Sequence, residues 1–153
     1  RQPGLLGLAL AEPTLSAEII ADGIHVHPML VDAFLRLKPA GKAILVSEGI
    51  SAAGCGEGDF QLGSISVQVA GGRCESGGIL AGSVLTLEKA IQNVMQFSRL
   101  DLASAIPLAS LNPAELMGWN GAGRLQTGSP ANFTVFHRTG DLLACYLAGQ
   151  PVN

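Results

Sequence analysis

The sequence predicts an α/β fold built on parallel strands. Three observations carry that expectation. A strand, a helix and a second strand follow one another between Leu15 and Gly49, with a crossover of the length that parallel pairing needs. Both strands end in polar residues, Asp22 and His25 on the first and Ser47 and Glu48 on the second. The C-terminal ends of parallel strands are where barrel and open-sheet enzymes place their chemistry. Hydrophobic residues make up 48% of the 153 residues and charged residues only 14%, the balance expected of strands covered on both faces.

The elements follow in order. RQPG opens the chain without an initiator Met and reads as a loop inside a larger protein. GLLGLAL reads as a short buried strand. In LSAEIIADGIHV the residues Ile19, Ile20, Ile24 and Val26 favour a strand, and Pro28 stops it. PMLVDAFLRLK places Met29, Leu30, Ala33, Phe34 and Leu37 at helical spacing behind a proline. Pro39 and Gly41 end that helix, and KAILVSEG gives the second strand. A glycine-rich stretch then alternates Ile65, Val67 and Val69 between Gly-Gly turns, the pattern of a β-hairpin insertion. GGILAGS, from Gly77 to Ser83, reads as the turn entering a helix. TLEKAIQNVMQFSRL carries Leu87, Ala90, Ile91, Val94 and Met95 on one helical face, with Thr86 as its N-cap. Two shorter helical pieces follow, broken by Pro107 and by Asn112-Pro113. The end of the chain reads as short strands around a Thr-Gly turn.

Composition excludes several functions. The net charge is −3 and the nine basic residues are scattered, which argues against a nucleic-acid partner. Mean hydropathy is +0.38, yet no apolar run approaches the roughly 20 residues of a membrane span. No membrane association and no signal peptide are expected. Three cysteines without a C-x-x-C spacing fit reduced, buried or partly buried thiols of a cytoplasmic protein better than a disulfide framework or a zinc site.

Three segments carry candidate chemistry. In DGIHVHP, His25 and His27 share one side of a strand. They could be a metal pair, a substrate-binding segment, or two polar residues packed at a strand end. Three or four metal ligands are hard to assemble, since the remaining histidine is His137, far along the chain. Glu48 ends a short apolar strand, a position suited to a general base but also to an ordinary solvated glutamate. Glycines before a helix can bind anions through free N–H groups. GGILAGS lacks the lysine of a phosphate-binding P-loop, however.

Taken together, RQPG, IIADGIHVHP, AILVSEG, GGILAGS, NPAELMG and GRLQTGSPANFTVF resemble the N-acetylglucosamine-6-phosphate deacetylases of the amidohydrolase superfamily. The resemblance runs over the whole chain and covers the C-terminal half of that enzyme. It implies the last part of a metal-dependent hydrolase (β/α)8 TIM barrel over residues 1–120, with the hairpin insertion at about 55–78. Residues 121–153 would be strands of a small β-sandwich. It also implies removal of the acetyl group from N-acetylglucosamine 6-phosphate, in amino-sugar catabolism.

By the same resemblance Glu48 holds the place of the catalytic aspartate. Arg1, Asp22, Gly23, Ile24, His25, Leu80, Ala81 and Gly82 would bind substrate, with Arg1 and His25 on its phosphate. A divalent metal, zinc or iron, would be held by residues of earlier segments and by none in this chain. A homodimer is expected, together with the N-terminal half of the same protein, and the chain alone would be inactive. The extra methylene of Glu48 moves the carboxylate by roughly 1 Å, enough to matter for rate. A catalytically impaired sugar-phosphate-binding relative, or an amidohydrolase acting on a different amide, are therefore the alternatives.

Overall fold

A computed structural model of the chain describes residues 2–152. Its centre is the expected strand, helix and parallel strand, although the first strand stops at Ile20 and Asp22–Val26 form a turn rather than its continuation: β1 (Ala17–Ile20), helix α2 (Pro28–Leu37) and β2 (Ala43–Val46), in register from Ala17↔Ala43 to Ile20↔Val46. Alternation along the strands divides their side chains. Ile19, Ala21, Ala43 and Leu45 face the helices and join Val31, Phe34, Ala90, Ile91, Val94, Ala105 and Leu108 in one buried core. Ile20 and Val46 face the other way, into a cleft. Pro28 opens α2 at a position where its missing N–H costs nothing. His27 caps that helix, its Nδ1 accepting the Met29 N–H at 3.2 Å.

GLLGLAL is not a buried strand. Gly4–Ala11 forms helix α1, none of whose residues is buried. Short apolar runs do not distinguish strand from helix by periodicity. Leu and Ala, with no β-branched residue among them, tip the balance to helix. Lys38, at the end of α2, holds α1 in place. It is only 3% exposed, and its Nζ donates to the carbonyls of Ala9 (2.8 Å) and Glu12 (2.9 Å). A cation thus satisfies carbonyls that a helix C-terminus leaves without partners.

Helix α3 (Leu87–Ser98) runs as expected from Thr86, although the threonine side chain makes no capping bond. Asp101 caps α4 (Leu102–Ala109) by accepting the Ser104 N–H at 2.9 Å. Pro107 lies inside α4 rather than ending it; the break comes at Ser110. Asn112 and Pro113 fall in the first turn of α5 (Leu111–Leu116), where amide donors lack helical partners anyway. Asn112 Nδ2 donates to the carbonyls of Ala40 and Ala43, both at 2.6 Å, and so ties α5 to the start of β2.

Between β2 and α3 lies an antiparallel sheet of four strands: β3 (Gly58–Leu62), β4 (Ile65–Ala70), β5 (Arg73–Ser76) and β6 (Ile79–Ser83). Val67, Val69 and Cys74 of this sheet form a second small core with Ala52. GGILAGS is therefore turn and strand, not a helix entry. Gly77 (φ +57°) and Gly78 (φ +80°) make the double positive-φ turn that folds a strand back on its neighbour. Ser83 then makes a parallel bridge with Gly49, and Ile50 N donates to the Ser83 carbonyl at 2.9 Å. The last strands, β7 (Phe133–Phe136), β8 (Leu142–Leu147) and β9 (Gln150–Val152), form a three-stranded antiparallel meander. Gln92 of α3 donates to the Gly140 carbonyl in the β7–β8 turn at 3.1 Å. Among the described residues no helix is long and apolar enough to cross a membrane.

Replacing Asn112 by alanine removes both bonds to the β2 entry and takes this donor from the buried Ala43 carbonyl. Asn112→Ala should lower unfolding stability by about 1–3 kcal/mol. Among the described residues the buried Ser98 hydroxyl has no partner, so Ser98→Ala should be close to neutral. Urea unfolding followed by circular dichroism compares the two, and equal effects would contradict this account of Asn112.

Candidate functional site

The site grows from the C-terminal ends of β1 and β2. Beyond β1 the chain turns sharply through Asp22, Gly23 and Ile24. Asn93 of α3 is buried and donates to the Ala21 carbonyl at 2.8 Å, fixing the start of the turn. The Asp22 side chain is only 7% exposed. Its Oδ1 accepts the N–H groups of Ile24 and His25, both at 2.8 Å. Its Oδ2 lies 2.6 Å from Nδ1 of His25. Gly23 has φ +76°, and a Cβ there would lie 3.2 Å from the Phe97 ring. Glycine is thus the residue the turn accepts.

Burial opposes ionisation of Asp22. The hydrogen bonds from the His25 ring and from the two amides outweigh it and hold the carboxyl below the usual carboxylate range.

At the end of β2, Glu48 has φ +47°, a backbone conformation uncommon for a residue with a side chain. Such strain persists where surrounding structure imposes it, often at functional sites. Here the imposing contact is β6: the Glu48 carbonyl accepts the Ser83 N–H at 3.3 Å. Glu48, His25, Ala81 and Gly82 line one cleft of about 650 Å³, with Ile50 and Leu62 as apolar wall. Gly82 has φ +101°, and a Cβ there would come within 2.4 Å of Ile50 Cγ2. Only glycine lets β6 approach this closely.

Four of the residues singled out in the sequence therefore meet. Asp22 and Gly23 stand behind His25 and build its turn. Ile24 and Leu80 do not line the cleft, and Arg1 lies outside the described residues. Glu18, Ile50 and Leu62 line the cleft and were not anticipated. Strand alternation from Ile20 would have pointed to Glu18, but nothing in the sequence places Ile50 and Leu62 beside it. A second hollow of about 600 Å³, between α3, α4 and the β7–β8 pair, contains none of the expected residues.

His25 and His27 do not act as a pair. One ring is bound to Asp22 and the other caps α2. Among the described residues no group of three or more His, Cys, Asp or Glu side chains could hold a metal ion. These residues do not fit a divalent metal. Of the cysteines, Cys74 is buried, Cys145 half-buried and Cys55 exposed.

Parallel strands with a carboxylate and an imidazole at their C-terminal ends are the arrangement on which α/β enzymes place their chemistry. The amidohydrolase family profile matches residues 6–152, and the chain belongs to that family. Its relatives narrow the resemblance. It is 33% identical over 153 residues to the putative N-acetylgalactosamine-6-phosphate deacetylase of Escherichia coli strain K12, covering 98% of this chain and 90% of that one. It is 34% identical over 136 residues to the N-acetylglucosamine-6-phosphate deacetylase of Lysinibacillus sphaericus, covering 88% of this chain and 35% of the relative. The crystal structure of N-acetylglucosamine-6-phosphate deacetylase from Thermotoga maritima superposes with a TM-score of 0.88 at 28% identity, over 97% of this chain and 41% of that one. The chain thus spans well under half the length of the last two.

Two outcomes follow for the site. The Asp22 carboxyl is depressed in the folded state, so the unfolded chain binds its proton more readily. The stability this carboxylate contributes is present above its ordinary value of 3.8 and is lost as pH falls through the lower folded value. The stability gap between wild type and Asp22→Asn should shrink as pH falls below about 4. Urea unfolding at a series of pH values measures it, and a gap that ignores pH would refute the assignment. Gly82→Ala should cost about 1–3 kcal/mol through overpacking against Ile50, read as a lowered melting temperature; an unchanged melting temperature would contradict the close approach.

Proposed function

We propose that this chain supplies the substrate-recognition and proton-transfer part of an N-acetylglucosamine-6-phosphate deacetylase. The reaction is hydrolysis of the acetamide of N-acetylglucosamine 6-phosphate to glucosamine 6-phosphate and acetate, a step of amino-sugar catabolism. One observation carries the reading. Glu48, His25 and the Ala81–Gly82 backbone share a single cleft in a member of the amidohydrolase family.

In this reading Glu48 is the base and then the acid. It takes a proton from the water that attacks the amide carbon. As the C–N bond breaks it returns the proton to the departing amine, so water's oxygen ends in acetate and its hydrogens on the products. Glu48 lines the cleft from a positive-φ position at the end of β2. His25 orients the substrate through its phosphate, and Arg1 is assigned to the same phosphate. The backbone of Ala81 and Gly82 runs along the sugar. The divalent metal that the family resemblance implies, zinc or iron, would be held by residues outside this chain.

The same reading assigns residues 1–120 to the C-terminal part of a (β/α)8 TIM barrel, with the insertion at about 55–78, and residues 121–153 to a small β-sandwich. The parallel β1–β2 pair and the parallel Gly49–Ser83 bridge support it, as does the likeness to the Thermotoga maritima enzyme. A cytoplasmic homodimer that includes the N-terminal half of the protein completes it. A galacto substrate is the second reading, favoured by the name of the Escherichia coli relative.

In the complete enzyme supplied with divalent metal, Glu48→Gln should lower kcat by about 10²–10⁴-fold with little change in KM. Glucosamine 6-phosphate release measures it, and a kcat within a few-fold of wild type would remove Glu48 from the chemistry. Comparing kcat/KM for the gluco and galacto substrates decides between the two readings. The 153-residue chain alone should release no acetate; sustained release would refute its dependence on further residues.

A further inference from the structure

We infer that Asp22 is a positioning residue, not a substrate contact: it fixes His25 in the tautomer whose proton sits on Nδ1 and presents Nε2 to the cleft. Three features of the turn carry this.

First, Asp22 has little capacity left for a ligand: three of its roughly four acceptor positions are taken. Oδ1 accepts two amide N–H groups, Oδ2 is occupied by the His25 ring, and the side chain is 7% exposed. Second, an ionised carboxylate can only accept hydrogen bonds. At 2.6 Å from Oδ2, Nδ1 must therefore carry the proton. Third, the backbone that carries the ring is fixed beside the carboxylate. Its own backbone N–H is held by the same aspartate. Gly23 packs beneath Phe97, and Asn93 pins the preceding carbonyl.

The consequence is chemical. A neutral His25 offers a lone pair at Nε2, which pairs with a hydroxyl or with the O–H of a singly protonated phosphate. A doubly protonated His25 offers an N–H there, which pairs with a phosphate oxygen while Asp22 balances the charge. The neutral form with its proton on Nε2 is excluded. The choice of a phosphate as the group met by Nε2 rests on the deacetylase reading, whereas the tautomer does not.

His27 provides an opposite case in the same molecule. Its Nδ1 accepts the Met29 N–H, so its neutral ring carries the proton on Nε2.

The test is a long-range proton–nitrogen correlation spectrum of the chain labelled with ¹⁵N-histidine, recorded above the pH at which the rings titrate. The wild-type protein should show His25 protonated at Nδ1 and His27 protonated at Nε2. In Asp22→Asn the amide oxygen can keep the two backbone N–H groups, and its NH₂ then faces Nδ1 as a donor. His25 should switch to the Nε2–H form while His27 stays unchanged. A wild-type His25 with its proton on Nε2 overturns the proposal without any variant. So does an Asp22→Asn protein that keeps the proton on Nδ1.

Adding glucosamine 6-phosphate separates the two readings. A shift of the His25 Nε2 resonance supports the phosphate contact. No shift, with the Nδ1–H tautomer in place, sinks that contact and leaves Asp22's role standing.

Discussion

The rest of the molecule depends on the parallel pairing of β1 with β2. Parallel strands need a long crossover and leave their ends without a tight turn to fix them. Here buried amides do that work. Asn93 holds the carbonyl just past β1, and Asn112 holds the carbonyls at the entry to β2. Both come from helices that pack on the sheet, so the core and the strand ends are set together. An amide without its carbonyl would be left unpaired in the interior, which makes alternative registers costly.

With the strands fixed, the site follows from what lies one or two residues beyond them. Asp22 turns the chain so that His25 stands over the cleft. Glu48 lines the same cleft from a positive-φ position whose carbonyl accepts the Ser83 N–H of β6. The antiparallel sheet of β3 to β6 is therefore more than a surface appendage. Its last strand lies beside the end of β2 and brings Gly82 to the glutamate, and Leu62 from β3 closes the apolar wall. Strain at Glu48 is sustained because the small core around Val67, Val69 and Cys74 holds that sheet in place.

Polar groups elsewhere are used in the same economical way. His27, two residues from His25, spends its ring on capping α2. Lys38 gives its ammonium to the end of α1 and is buried with two carbonyls as partners. Neither bears on the cleft directly, but each secures an element next to it. A sequence motif such as H-x-H can thus divide its two histidines between a site and a helix end.

Sequence alone determined the α/β class, the strand–helix–strand centre, helix α3 and the polar strand ends at Asp22–His25 and Glu48. These are legible because their cause is local: periodicity, a proline at a helix start, apolar runs of strand length. The family was legible too, because its motifs are short and ordered along the chain. The helix at Gly4–Ala11, the strand at Ile79–Ser83 and the position of Pro107 inside α4 were not. Each depends on a partner distant in sequence or on the balance of a whole segment: Lys38 for the helix, β5 and Gly49 for the strand. The assembly of the cleft belongs to the tertiary structure for the same reason. His25, Glu48, Leu62 and Gly82 lie on four different segments, and only the parallel pairing and the approach of β6 at a glycine bring them to one place.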